Sequence, residues 1–225
     1  MPTALITGAS RGLGAAIART LAPTHDLLLG GLPSSELDTL ATQLEGSSTW
    51  PVELTDHEEM ADAVDAIDSL DVLVHNAGVG SISTVEETPA DEYRRIMEVN
   101  LIAVAELTRL LLPALREVGG HIVFINSGAG RNANPGWSAY AASKFALRAF
   151  ADSLRAEEPG LRVTSVYPGR IDTDMQADIV AMEGGEYDGS RFLAPATVAA
   201  AVAHAIATPA DAHPTEIILR PTARR

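Results

Sequence analysis

Short apolar runs alternate with longer segments of helical periodicity along the whole chain. In the longer segments, apolar residues recur every three or four positions, as on one face of an amphipathic helix. Strands that alternate with helices indicate βαβ units and a parallel sheet. Because most of the short runs are almost continuously apolar, we expect helices to cover both faces of that sheet. The sequence therefore predicts an α/β fold: a doubly wound, mostly parallel sheet of seven strands.

The boundaries of these elements follow from local patterns. Ser35 before Glu36 predicts the start of one helix, and Thr55 with Glu58 forms a capping box that predicts another. The Ala-rich segment 196–207 is interpreted as a packed surface helix. The predicted strands cover residues 4–7, 27–29, 49–52, 72–75, 121–125, 162–167 and 216–219.

The chain is long enough to form one domain with its own core. It has 225 residues, 46% hydrophobic and 20% charged, and a chain of this length buries roughly 70 to 75% of its unfolded surface. The composition does not shift along the sequence, so we expect a single domain over residues 1–225. The helical pattern breaks at residues 182–186, and we interpret segment 174–191 as a flap over the substrate.

The charge and the residue types present exclude several classes of function. Sixteen basic and thirty acidic residues leave a net charge of −14, which repels nucleic acid and anionic lipid. The absence of cysteine excludes disulfides, thiol nucleophiles and Cys-ligated zinc. The histidines have no i, i+4 partners, so we expect no metal site. With no basic leader and no apolar run of about 20 residues, the expected location is cytoplasmic.

A glycine-rich turn follows the first predicted strand and opens the first helix. Gly8, Gly12 and Gly14 let the backbone approach a pyrophosphate at the helix N-terminus. The spacing is neither GxGxxG nor that of a P-loop, and taken alone such a turn also serves plain chain reversal.

The same turn also matches the GxSxG motif of serine hydrolases. Ser10 would be the nucleophile, and Asp178 with His204 or His213 would complete a triad. This alternative is disfavoured because only one predicted strand precedes Ser10. It also leaves the pair Tyr140 and Lys144 without a function.

Tyr140 and Lys144 stand four residues apart in a strongly helical segment, so their side chains share one helix face. A phenol has an ordinary pKa of about 10, and a nearby ammonium favours the phenolate. Tyr140 is therefore a candidate proton donor to a carbonyl oxygen.

These motifs together resemble the short-chain dehydrogenase/reductase family, in its single-domain branch. The order and spacing agree for residues 7–14, the run His75-Asn76-Ala77-Gly78, Asn100, Ser127, Tyr140, Lys144 and Pro168-Gly169. The resemblance implies a Rossmann-type enzyme that transfers a hydride between a nicotinamide cofactor and a carbonyl compound or secondary alcohol. His75 departs from the family, which usually has Asn there, and we interpret it as a structural histidine.

The resemblance also implies a role for each site residue. Tyr140 would be the general acid in reduction, and Lys144 would bind the nicotinamide ribose and lower the pKa of the phenol. Ser127 would hydrogen-bond the substrate oxygen, and Asn100 would hold a water that links Lys144 to solvent. The residues implied to bind the cofactor are Gly8, Ser10, Arg11, Gly12, Leu13, Gly14, Ser34, Glu53, Leu54, Asn76, Ala77, Gly78, Tyr140, Lys144, Pro168, Gly169, Ile171 and Thr173.

The end of the second predicted strand favours NADP over NAD. NAD-selective sites place a carboxylate there for the ribose 2′-hydroxyl, whereas residues 29–32 contain none. Arg11 resembles the basic residue of NADP-preferring members, and the helix that begins near Ser34 offers free amides to a phosphate. Leu32 stands where many such members carry a second basic residue, so NAD remains the alternative.

The expected assembly is a homodimer, with a homotetramer as the alternative. The helices that carry Asn100 and Tyr140 resemble those that pair across subunits in the family. The tail 220–225 replaces the glycine-rich ending of many tetrameric members. The expected partner is otherwise a small carbonyl or alcohol substrate. A dinucleotide-binding protein without catalytic activity is the competing function, although the Ser, Tyr and Lys set would then serve no purpose.

Overall fold

Seven parallel strands form one sheet. The computed structural model describes residues 1–222. The last three residues of the tail 220–225, on which the expected assembly partly rests, lie outside the described residues. The strand order is β3-β2-β1-β4-β5-β6-β7. Successive strands are added outward on one side of β1 as far as β3, and then on its other side from β4 to β7. This is the doubly wound arrangement predicted from the sequence. The strands are β1 (Thr3–Ile6), β2 (Asp26–Gly31), β3 (Ser47–Pro51), β4 (Val72–His75), β5 (His121–Ile125), β6 (Arg162–Pro168) and β7 (Glu216–Leu219).

Eight α-helices connect the strands. The fourth continues through a π-helical turn, Glu98–Ile102, into the fifth, and 3₁₀ turns cover Gly128–Gly130 and Gly189–Arg191. The helices are α1 (Gly12–Leu21), α2 (Ser35–Gln43), α3 (His57–Val64), α4 (Ala90–Met97), α5 (Ala103–Val118), α6 (Ser138–Glu157), α7 (Asp174–Met182) and α8 (Pro195–Ala207).

Both faces of the sheet are buried. Helices α1, α2 and α8 cover one face, and α3, α5 and α6 cover the other. Successive side chains of a strand enter opposite layers: Ala4 and Ile6 pack on the first face, and Leu5 packs on the second. The continuous apolar runs thus have the cause expected from the sequence.

Two helix starts differ from the prediction. Ser34, and not Ser35, caps α2, because its Oγ accepts a hydrogen bond from the amide of Leu37 at 3.3 Å. Asp56 caps α3 in place of the predicted box of Thr55 and Glu58. The carboxylate of Asp56 accepts from the amide of Glu59 at 3.0 Å, whereas the hydroxyl of Thr55 donates to Glu53.

Two helices near the end of the chain agree with the sequence pattern. Helix α7 ends at Met182, where the helical pattern breaks, and α8 covers the Ala-rich segment. Within residues 1–222, no helix is both long enough and apolar enough to cross a bilayer.

Candidate active site

The glycine-rich turn is fixed to the end of β4 at the point where the strand order reverses. The hydroxyl oxygen of Thr7 accepts hydrogen bonds from the amides of Asn76 and Ala77, both at 3.0 Å. The side-chain amide of Asn76 in turn donates to the carbonyls of Thr7 at 3.0 Å and Gly8 at 3.1 Å. Ligands of open α/β sheets bind at this crevice, so the turn is placed where a dinucleotide would lie.

The turn itself fits an anionic ligand. Gly8 and Gly12 have φ angles of +64° and +55°, which side-chain-bearing residues rarely adopt. A Cβ on Gly14 would overlap the carbonyl oxygen of Gly8, so α1 packs directly on the turn. Among the described residues, no side chain caps the first turn of α1. Its amides are therefore available to a pyrophosphate. Leu13, which was predicted to bind the cofactor, lies in this first turn.

The loop that follows β6 closes the other side of the crevice. The amide of Gly169 donates to Leu219 at 2.8 Å, and Ile171 forms an isolated bridge with Leu193. The methyl group of Thr173 would be 3.4 Å from a Cβ on Gly12, so the loops after β1 and β6 meet. The predicted carboxamide-binding residues, which begin at Pro168, thus lie beside the predicted pyrophosphate site.

The predicted residues for the adenosine half lie on the surface near β2 and β3. Ser34 caps α2, and Glu53 and Leu54 follow β3. Arg11 is exposed, and its guanidinium is 3.7 Å from the carboxylate of Asp174 at the start of α7. A pair as exposed as this one holds weakly, so the guanidinium is free to turn toward another anion.

Lys144 is buried beside Tyr140 on α6. Its side chain is 5% exposed, and its ammonium donates to the carbonyl of Ile125 at 3.1 Å. The ammonium nitrogen is 5.8 Å from the centroid of the Tyr140 ring. Burial lowers the pKa of Lys144 to about 8, because the charged form loses hydration.

Tyr140 is held in its protonated form. Burial raises the pKa of the phenol above its ordinary value, and a hydrogen bond with Ser127 lowers it in part. The net shift is upward in this structure, so the lowering of this pKa by Lys144 stays a prediction for the site with its cofactor bound. The ammonium lies over the ring and is bonded to Ile125, so the effect of burial on the phenol dominates.

Asn100 lies in the π-helical turn and joins it to the loop after β4. Its Oδ1 accepts from the amide of Val79, and its Nδ2 donates to the carbonyl of Val79, both at 2.9 Å. The second Nδ2 proton goes to the hydroxyl of Ser143 at 3.0 Å. Both side-chain protons are used, so only a lone pair of Oδ1 or the main chain of Asn100 remains for the expected water.

Three further residues, Ser127, Gly78 and Ser143, lie close to Asn100, Tyr140 or Lys144. Ser127 begins the 3₁₀ turn after β5, and its Oγ accepts from the amide of Ala129 at 3.1 Å. We call Asn100, Ser127, Tyr140 and Lys144 the tetrad. Gly78 lies next to it, since a Cβ there would be 3.8 Å from the ammonium of Lys144. Ser143 was missed, although its place directly before Lys144 on α6 could have indicated a contact with the site.

His75 is a structural residue. Its Nε2 is 2.9 Å from the hydroxyl of Thr108, and its ring stacks on Phe124 with centroids 5.1 Å apart. Burial lowers the pKa of His75 to about 3. The ring is therefore neutral at physiological pH and faces the core.

The arrangement does not support a serine hydrolase. Ser10 lies in the turn after the carboxyl end of β1. Both candidate histidines lie at the amino ends of the strands: His213 bonds to Val163 at the start of β6, and His204 is in the last turn of α8, close to Arg162. A histidine at the opposite edge of the sheet cannot activate Ser10.

Comparison with known proteins agrees with this geometry. The family model described as short chain dehydrogenase matches residues 2–184. The chain is 36% identical to a benzil reductase of Saccharomyces cerevisiae that forms (S)-benzoin, over 78% of this chain and 73% of that protein. It is 35% identical to glycine betaine reductase of Emericella nidulans over 97% of this chain, but it spans only 18% of that protein.

A solved structure resembles the whole chain. It is an alcohol dehydrogenase from the archaeon Thermococcus sibiricus in complex with 5-hydroxy-NADP, with a TM-score of 0.91 and 29% identity. The alignment covers 100% of this chain and 98% of that one. The family model and the relatives agree with the site geometry and lead to one conclusion: the chain belongs to the short chain dehydrogenase family.

Proposed function

We propose that the protein reduces a ketone or aldehyde to the corresponding alcohol with NADPH. The observation that carries this proposal is the state of Tyr140. Its phenol is hydrogen-bonded to Ser127, its pKa is raised by burial, and it shares a helix face with the ammonium of Lys144. A phenol that keeps its proton at neutral pH acts as an acid, and carbonyl reduction requires an acid.

The chain's own groups would then move one proton to the substrate. A nicotinamide held by the loop that begins at Pro168 would supply the hydride for the carbonyl carbon. The hydroxyls of Ser127 and Tyr140 hold the carbonyl oxygen, and Tyr140 gives that oxygen its proton. The ammonium of Lys144, fixed by Ile125, stabilises the phenolate that remains until solvent protonates it again.

NADPH is the proposed cofactor because the site lacks the carboxylate that would repel a 2′-phosphate. Strand β2 ends at Gly31 and an exposed Leu32 follows. Arg11 and the capped start of α2 at Ser34 supply a cation and free amides near that end. The alcohol dehydrogenase of similar fold is itself in complex with an NADP derivative.

The surroundings of Tyr140 favour aromatic substrates within the carbonyl class. The ring of Trp137 meets the ring of Tyr140 edge to face, with centroids 5.6 Å apart. A Cβ on Gly80 would be 3.3 Å from the Tyr140 ring, so this glycine leaves the approach to the phenol open. Aromatic ketones, such as the benzil on which the yeast relative acts, belong in the first substrate panel.

The test is NADPH consumption with a panel of ketones, aldehydes and quinones. Tyr140→Phe removes the proton donor and keeps the ring, so kcat should fall by about 10² to 10⁴-fold, while NADPH affinity measured by fluorescence stays the same. Tyr93→Phe is the matched control, because it deletes another phenol, bonded to Ser138 at the start of α6. Full activity of Tyr140→Phe would refute the mechanism, and NADPH binding with no turnover of any carbonyl would favour the inactive binding protein.

We further propose a homodimer in the cytoplasm. The outer face of the π-helical turn, α5 and α6 carries an apolar groove lined in part by Leu101, Ala105 and Phe150. Exposed Ile102, in the π-helical turn, also lines this groove, and exposed Phe145 lies on α6. A second copy with the same face would cover these residues through a two-fold interface. Cell fractionation would test the location.

A further inference from the structure

Asn126 lies between Ile125, the last residue of β5, and Ser127. It is enclosed by β6, the 3₁₀ turn Gly128–Gly130 and α6. The residue is 3% exposed, and its backbone amide donates to Val166 of β6 at 2.8 Å. A Cβ on Gly130 of the 3₁₀ turn would overlap the side-chain oxygen of Asn126. The turn therefore packs against this amide on one side, and α6 packs against it on the other.

The two ends of the Asn126 amide reach two residues of the tetrad. Its Oδ1 accepts from the backbone amide of Ser127 at 2.8 Å. Its Nδ2 donates to the backbone carbonyl of Lys144 at 3.1 Å. Ser127 follows β5 and Lys144 lies inside α6, so one buried amide joins the two elements that carry the catalytic groups.

A second hydrogen bond joins α6 to the end of β5, and here the donor lies on α6. The ammonium of Lys144 donates to the carbonyl of Ile125, while Asn126 donates to the carbonyl of Lys144. The strand end thus holds Lys144 both at its main chain and at its charged end. An error of about 1 Å in such a placement can lower the rate of an enzyme by about 10²-fold.

We propose that Asn126 is a positioning residue of the reaction, which sets the distance between the Ser127 hydroxyl and the catalytic face of α6. This inference rests on the proposed carbonyl reduction. Asn126 touches neither the substrate nor the reacting atoms; it acts through the main chains of Ser127 and Lys144. A purely structural role would cost stability alone, whereas a positioning role also costs turnover in fully folded protein.

The test compares Asn126→Ala with His121→Asn. His121 is buried at the other end of β5 and bonds to Thr164 at 2.8 Å, so its substitution removes a buried hydrogen bond far from the tetrad. Both variants should lower the melting temperature. At a temperature where both are folded, Asn126→Ala should lose about 10- to 100-fold in kcat with little change in KM for the carbonyl, and His121→Asn should keep kcat within about twofold.

Amide hydrogen exchange tests the geometry without any substrate. The Ser127 amide should exchange faster in Asn126→Ala, which lacks its acceptor, and slowly again in Asn126→Asp, which keeps an oxygen there. Unchanged exchange at Ser127, or a kcat of Asn126→Ala equal to that of His121→Asn, would overturn the positioning role. If the wild type reduces no carbonyl, the proposed function fails, and the exchange result still decides whether Asn126 holds Ser127.

Discussion

At the scale of single residues, Lys144 should limit the pH range of the proposed carbonyl reduction. Its pKa is lowered to about 8 by burial, so the ammonium is charged below pH 8 and neutral above it. The charge stabilises the phenolate of Tyr140, hence kcat for reduction should be level at lower pH and fall as the pH rises through about 8.

Lys144→Arg identifies the group responsible for this fall. A guanidinium stays charged throughout this range, so the variant should be slower but should lose the decline near pH 8. A wild-type rate that rises above pH 8 would contradict the assignment. The measurement is a pH–rate profile for both proteins at saturating NADPH.

The choice of dinucleotide also belongs to single residues. Arg11→Ala should weaken NADPH binding, and leave NADH binding unchanged, because only NADPH carries the 2′-phosphate that the guanidinium would meet. Leu32→Arg should tighten NADPH, since it adds a cation at an exposed position directly after β2. Fluorescence titration of both cofactors measures the effect. Equal affinity of the wild type for NADH and NADPH would contradict the proposed preference.

At the scale of elements, the sequence predicts most of the fold, because the positions that are buried on folding are apolar and their spacing differs between strands and helices. All seven strands are present near their predicted positions, since apolar runs covered on both faces have no other simple explanation. Helix starts were less accurate, because Asp56 and Thr55 are both good cap residues and the sequence alone does not choose between them; in the structure Asp56 accepts from the amide of Glu59.

The site was predictable in its residue types but not in its local geometry. The spacing of Tyr140 and Lys144 places them on one helix face, and the structure has them there. Nothing in the sequence indicates that Asn100 sits in a π-helical turn or that the ammonium of Lys144 bonds to Ile125. Those contacts depend on how α6 packs on β5, and so does the direction of the pKa shift of Tyr140.

The outer face of α5 and α6 gives a prediction about assembly. Phe145 is 42% exposed on α6, and a charge in its place would be buried without a partner in a dimer formed through this face. Phe145→Glu should therefore give a monomer in light scattering at micromolar concentration. Val85→Glu, at another exposed apolar position, is the control and should leave the mass unchanged. A wild-type monomer would contradict the dimer.

At the scale of the whole molecule, two uncharged histidines occupy the middle of the sheet. His75 ends β4 and His121 begins β5, the strand beside it. Burial lowers the pKa of each to about 3, with the positive charge of Arg162 contributing at His121. In the unfolded chain, histidine has a pKa of about 6.5. Between these two values the unfolded state binds protons that the folded state does not.

The free energy of unfolding should therefore fall as the pH decreases from about 6.5 toward 3. Each such histidine contributes a slope of about 1.4 kcal/mol per pH unit in this window, added to the contribution of the carboxylates. His75→Asn removes one of the two contributions and should flatten the slope by that amount, even though it costs stability at neutral pH through the lost bond to Thr108. His204→Asn, at an exposed position on α8, is the control. Urea unfolding of the three proteins between pH 4 and 7 measures the slopes, and equal slopes for wild type and His75→Asn would show that His75 is not buried in its neutral form.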